Sequence, residues 1–150
     1  METYHNMKQL LRIVIGWENQ LTNFYNRAEK ALESEKSKEI VALLKQNHVN
    51  NMQYVEEIRV ENYGKDEWIQ YTPDCNIRNL IPTDKIKCES KPIEIIKCIL
   101  NYELKIEAFY SSVADLILSR EMKELFESLA AYKGRQAIEI KRLIDSIEYI

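Results

Sequence analysis

The feature that most constrains this chain is a repeat at a lag of 85 residues. "GWENQLTNFYNRAEK" at 16–30 returns as "NYELKIEAFYSSVAD" at 101–115, so Glu18 aligns with Glu103, Phe24 with Phe109 and Tyr25 with Tyr110. The register continues ungapped into the adjoining segment of each copy. Lys38-Glu39-Ile40 aligns with Lys123-Glu124-Leu125, Leu44 with Leu129, Val55 with Ile140, and Ile58 with Leu143. A chain of 150 residues carrying two copies of one pattern is read as a single domain of two related halves.

Each half contains two segments of helical periodicity, with apolar residues spaced alternately three and four apart. The first spans about 4–33, with Met7, Leu11, Val14, Leu21, Tyr25, Ala28 and Leu32 on one stripe. The second spans about 37–62, with Val41, Leu44, Val55 and Ile58. The third, about 92–118, carries Ile96, Ile99, Ile106, Tyr110, Val113 and Ile117, and Pro92 sits at its start, where a missing N–H costs nothing. The fourth, about 121–149, carries Phe126, Leu129, Ile140, Leu143 and Ile147. Short joins make each pair an antiparallel hairpin. The chain is therefore expected to be all-α, a four-helix bundle of two αα-hairpins (4–62 and 92–149) linked by a long crossover (63–91). Only three Gly and three Pro occur, as long helices require. In the crossover, Trp68, Ile69, Tyr71, Leu80 and Ile81 are expected to pack against a helix face.

Every stripe is interrupted by polar residues at mid-helix. Glu18 stands between Val14 and Leu21, and Glu103 occupies the same place in the third helix. His48 and Asn51 fall between Leu44 and Val55, and Lys133 and Gln136 between Leu129 and Ile140. These six residues are expected to meet in one layer at the bundle centre. Tyr25 and Tyr110, two turns beyond the acids, are expected to donate hydrogen bonds into it.

The double hairpin, the acid seven residues before Phe-Tyr in both halves, and the long crossover resemble the ferritin-like superfamily, and most closely its rubrerythrin-type diiron domain. The resemblance covers nearly the whole chain. It implies a Glu from the first and third helices, a Glu-x-x-His pair from the second and fourth, and two iron ions reacting with peroxide or dioxygen. This chain keeps Glu18 and Glu103, but the pairs read His48-x-x-Asn51 and Lys133-x-x-Gln136. The four-cysteine rubredoxin domain often attached to rubrerythrins is absent from it.

Charge decides between a metal and a substitute for one. Four carboxylates balance two ferrous ions. Here two remain, Lys133 supplies one positive charge, and a protonated His48 would supply another. The favoured expectation is a degenerate site without cofactor or catalytic residue, a buried network serving a binding or scaffolding module. The alternative is a rubrerythrin-like oxidoreductase with one iron or zinc held by Glu18, Glu103 and His48. A reactive amine at Lys133 is opposed by the two acids, which favour its charged form.

Composition excludes other classes. The net charge is −3 with both signs interspersed, so no nucleic acid is expected as a partner. No apolar run is long enough to span a membrane. The start, METYHNMKQLLR, lacks signal-peptide character. Three cysteines without a CxxC fit the cytoplasm: Cys98 is expected in the core, and Cys75 and Cys88 as free thiols of the crossover. His5 is expected in an exposed first helical turn. Self-association through helix faces is the expected partnership.

Overall fold

In a computed structural model, the structure describes residues 4–70 and 91–148. Among these residues the fold is a four-helix bundle: β1 (Tyr4–Asn6), α1 (Met7–Ala31), α2 (Glu35–Glu56), β2 (Trp68–Gln70), α3 (Pro92–Leu116) and α4 (Arg120–Glu148). A single 3₁₀ turn, Val60–Tyr63, follows α2. No described helix is long and apolar enough to cross a membrane.

Helix boundaries are set by capping. Asn6 forms a reciprocal capping box with Gln9, each side chain bonding the other's backbone N–H. Ser34 caps α2 through the Ser37 N–H. Pro92 opens α3. The carboxylate of Glu67 accepts hydrogen bonds from the backbone N–H groups of Leu118 (2.9 Å) and Ser119 (2.5 Å), just before α4 begins. Its neighbour Asp66 accepts from the Met7 N–H, the first of α1. One dipeptide thus satisfies orphan donors at the starts of two helices, where the helix dipole also favours negative charge.

Residues 4–6 are not the start of the first helix. They pair with 68–70 as a two-stranded antiparallel ribbon in which His5 faces Ile69. The Asn6 cap stops α1 there, and the strand pairing satisfies the freed backbone. His5 is consequently half-buried rather than exposed. On the crossover, Ile69 is buried as expected, but Trp68 is 62% exposed because alternation along β2 turns it outward. Helix α2 ends at Glu56, short of 62, giving way to the 3₁₀ turn. Tyr71, Leu80, Ile81, Cys75 and Cys88 lie outside the described residues. Cys98 is half-buried at the core's edge.

Contacts set the helix directions. Trp17 meets Phe109 while Tyr25 meets Glu103, so α1 and α3 are antiparallel. Asn47 meets Tyr132 while Leu44 meets Gln136, so α2 and α4 are antiparallel too. Gln70 and Lys91 therefore lie at opposite ends of the bundle, about 35 Å apart for helices of this length. The expected stripe residues are buried, with Ile58 and Ile147 only partly so. Trp17, Leu10, Phe24, Tyr102 and Ile95 widen the stripe beyond the simple seam. Gly134 faces α3: a Cβ there would meet the end of the flexible Glu107 side chain, which can swing aside.

Glu67→Ala removes the acceptor for two backbone N–H groups. It is expected to cost about 1 kcal/mol of stability, measured by urea unfolding. A midpoint equal to wild type would show that the carboxylate does not cap α4.

Candidate functional site: a buried polar layer

All six polar residues that interrupt the stripes are buried, and Glu18, Glu103, His48 and Lys133 have no exposed surface. Each lies where helical spacing turns an apolar stripe inward. The packing that buries Val14 and Leu21 must also bury Glu18, and that of Leu129 and Ile140 carries Lys133 with it.

The centre of the layer is a single cation shared by two acids. Lys133 Nζ lies 2.6 Å from Glu18 Oε1 and 3.3 Å from Glu103 Oε2. Tyr25 donates its hydroxyl proton to Glu103 Oε1 at 3.1 Å. Gln136 donates through Nε2 to the Leu44 carbonyl (3.0 Å) and to the Tyr25 oxygen (3.4 Å). A hydrogen-bonded chain thus runs from α2 through α4 and α1 to the acid of α3.

Burial dominates the electrostatics. Desolvation raises the Glu18 pKa, against the opposing pull of Lys133 and a smaller one from Asn51. Desolvation pushes Glu103 up to about 7, opposed by Lys133 and aided by the Glu18 charge. Burial by itself would lower the Lys133 pKa, but the two carboxylates outweigh it and raise it, so the amine is a firm ammonium. Tyr25 and Tyr110 are both raised well above the usual phenol range, by burial first and the acids second.

His48 does not supply the second positive charge. Desolvation and the nearby Lys133 ammonium lower its pKa to about 3, so the ring is neutral. Its Nε2 lies 3.0 Å from the Glu18 backbone carbonyl and 2.7 Å from the Thr22 hydroxyl, while Nδ1 stays 3.9 Å from Glu18 Oε2. Thr22, one turn beyond Glu18, escapes a periodicity reading because it sits beside the stripe rather than on it. Its hydroxyl also bonds the Glu18 carbonyl, at 3.1 Å. Its only trace in the sequence is the i, i+4 spacing.

The two halves are alike in position and unlike in partners. Lys133 occupies in the second half the place of His48 in the first, 85 residues earlier. Tyr25 bonds Glu103, and the symmetric partner of that bond would join Tyr110 to Glu18. It does not form: Tyr110, expected to donate into the layer, has no hydrogen-bond partner for its hydroxyl among the described residues. Lys133 has taken Glu18 instead.

The resemblance implies iron here, and the donors present do not suit it. Both carboxylates face an ammonium that would repel a divalent cation. No group of three or more His, Cys, Asp or Glu among the described residues is arranged to hold a metal ion.

Removing one member should strand the others. Lys133→Met leaves two buried carboxylates without their cation and is expected to cost about 3–5 kcal/mol. Adding Glu18→Gln to Lys133→Met should recover much of that loss in chemical denaturation. Simple additivity of the two substitutions would refute the coupling.

Two opposing groups set the pH dependence. His48, lowered from 6.5 to about 3, contributes stability that rises with pH between those values, because the unfolded chain binds the extra proton. Glu103, raised from 4.5 to about 7, does the reverse: the folded chain holds the proton, so stability falls as pH rises through that window. In His48→Gln the first contribution disappears. Its unfolding free energy is expected to decline from pH 4.5 to about 7, where wild type stays flatter. Parallel profiles for the two proteins would contradict a neutral His48.

No family model matches this chain, and neither a curated protein nor a solved structure matches it.

Proposed function

We propose that the chain is a ferritin-like, rubrerythrin-type bundle whose diiron site has been replaced by a buried salt-bridge network. In this reading it serves as a non-catalytic binding or scaffolding module that self-associates through its helix faces. One observation carries the reading: Lys133 Nζ stands between Glu18 and Glu103, where a cation shared by two acids belongs. A tethered amine there gives each carboxylate a counter-ion and removes the need for an acquired one. The outer faces of the bundle support the partnership. Leu43 and Tyr54 on α2 and Ile138 on α4 expose half or more of their surface.

A second reading has one observation in its favour. Among the described residues His48 Nδ1 has no hydrogen-bond partner, and it lies near Glu18 Oε2. With Glu103 it would complete a mononuclear iron or zinc site in a rubrerythrin-like oxidoreductase. That requires Lys133 to leave both acids and enter an apolar core as an unpaired charge, which is strongly disfavoured.

Elemental analysis of protein purified without oxygen separates the two. The wild type is expected to carry no stoichiometric metal. The Lys133→Glu, Gln136→His variant, which restores a Glu-x-x-His pair to α4, is expected to gain iron binding. Stoichiometric metal in the wild type, lost together with peroxide turnover in Glu18→Ala, would instead establish the oxidoreductase.

A further inference from the structure

We propose that Lys133 and Glu18 condense into an amide cross-link between α4 and α1, with Glu103 moving the protons. The inference goes beyond the scaffolding role and does not depend on it. It starts from contact: Lys133 Nζ is 2.6 Å from Glu18 Oε1, and neither side chain has any exposed surface. The carboxyl carbon bonded to that oxygen is then within about 4 Å of the nitrogen, a short rotation from the ~3–3.5 Å of a near-attack pair. A second acid is in place beside the first. Glu103 Oε2 is 3.3 Å from the same nitrogen, and Tyr25 anchors its other oxygen. Tyr110, beside the acids, packs against Phe109 and Phe126, and these rings help to keep the layer apolar.

The protons balance within these three residues. Lys133 begins as an ammonium, Glu18 as a carboxylate and Glu103 as the protonated acid. The ammonium passes one proton to Glu18 Oε1, and its freed lone pair forms the Nζ–Cδ bond. Glu103 gives its proton to the departing hydroxyl as the Cδ–Oε1 bond breaks, and takes back a proton from the nitrogen. One water leaves, and Glu103 ends as it began. Burial holds Glu103 protonated up to about pH 7, which suits it to this role.

Two conditions that make amide formation uphill in water are reversed here. The ions of the reactant have already lost their hydration, which is costly in any interior, whereas the amide is neutral. The released water must escape from the core for the amide to persist; once it has, hydrolysis would need another to reach two side chains with no exposed surface. The Glu18 carboxylate keeps the amine charged for most of the time, so the reaction is slow. It accumulates because each chain stays folded in the same geometry.

The test is the intact mass of the full-length wild-type chain, incubated folded at mildly acidic pH and then denatured. The mass is expected to fall by one water. Proteolysis should yield a branched peptide joining the segment of Glu18 to that of Lys133. Lys133→Met and Glu18→Ala should keep their full sequence masses. Glu18→Gln, which retains the electrophilic carbon, should lose ammonia instead. Glu103→Gln should slow the loss by about 100-fold. A wild-type chain that is folded by circular dichroism yet keeps its full mass after prolonged incubation overturns the proposal, as does a water loss mapped elsewhere. If Lys133→Met fails to fold, the wild-type mass and the Glu103→Gln rate still decide the matter.

Discussion

The structure is organised around one ammonium group held between two carboxylates in the middle of an apolar bundle. At such burial a lone charge is very costly, so each member of the trio is tolerable only because the others are present. Glu18 and Glu103 draw Lys133 into the core and keep it charged; Lys133 in turn partly offsets their desolvation. The trio joins α1, α3 and α4 at one level. Gln136 and His48 extend the contact to α2 through backbone carbonyls, without further charge. A network of this kind adds little net stability compared with an apolar core. It opposes sliding of one helix past another, because a shift of one turn would separate buried charges.

One cation for two acids also explains the asymmetry of the layer. With His48 held neutral, Lys133 is the one buried cation among the described residues, and it lies closer to Glu18 than to Glu103. Glu103 is compensated by the Tyr25 hydroxyl and by a raised pKa. Tyr110, the counterpart of Tyr25, has no such bond. A repeated pattern in the sequence thus becomes a polarised arrangement of side chains, and the two acids come to differ in chemistry although they share one sequence context.

Much of the fold was legible because helical periodicity is a local property. Apolar residues three and four apart marked all four helices, and short joins made hairpins of them. Where that reading failed, a specific local interaction had intervened. The Asn6–Gln9 capping box starts α1 at Met7, and the freed residues 4–6 form a ribbon with 68–70. The pleat of that ribbon turns Trp68 out and Ile69 in. Helix α2 stops at Glu56 although amphipathic spacing continues past it. The double cap by Asp66 and Glu67 joins residues about 50 to 60 positions apart and leaves no periodic trace.

By itself the sequence determined that six polar residues interrupt the stripes at matching depths in two related halves, since a 3.6-residue period fixes which face each occupies. It could not determine their partners, because periodicity specifies neither rotamer nor distance. Only the packing of four helices decided that Lys133 takes Glu18 at 2.6 Å and Glu103 at 3.3 Å, and that Tyr25 finds an acid while Tyr110 does not. The same packing left His48 neutral, bonded to a carbonyl and a threonine. The protonation of the layer likewise belongs to the tertiary structure: it depends on how completely water is excluded and on which charges lie within a few ångströms.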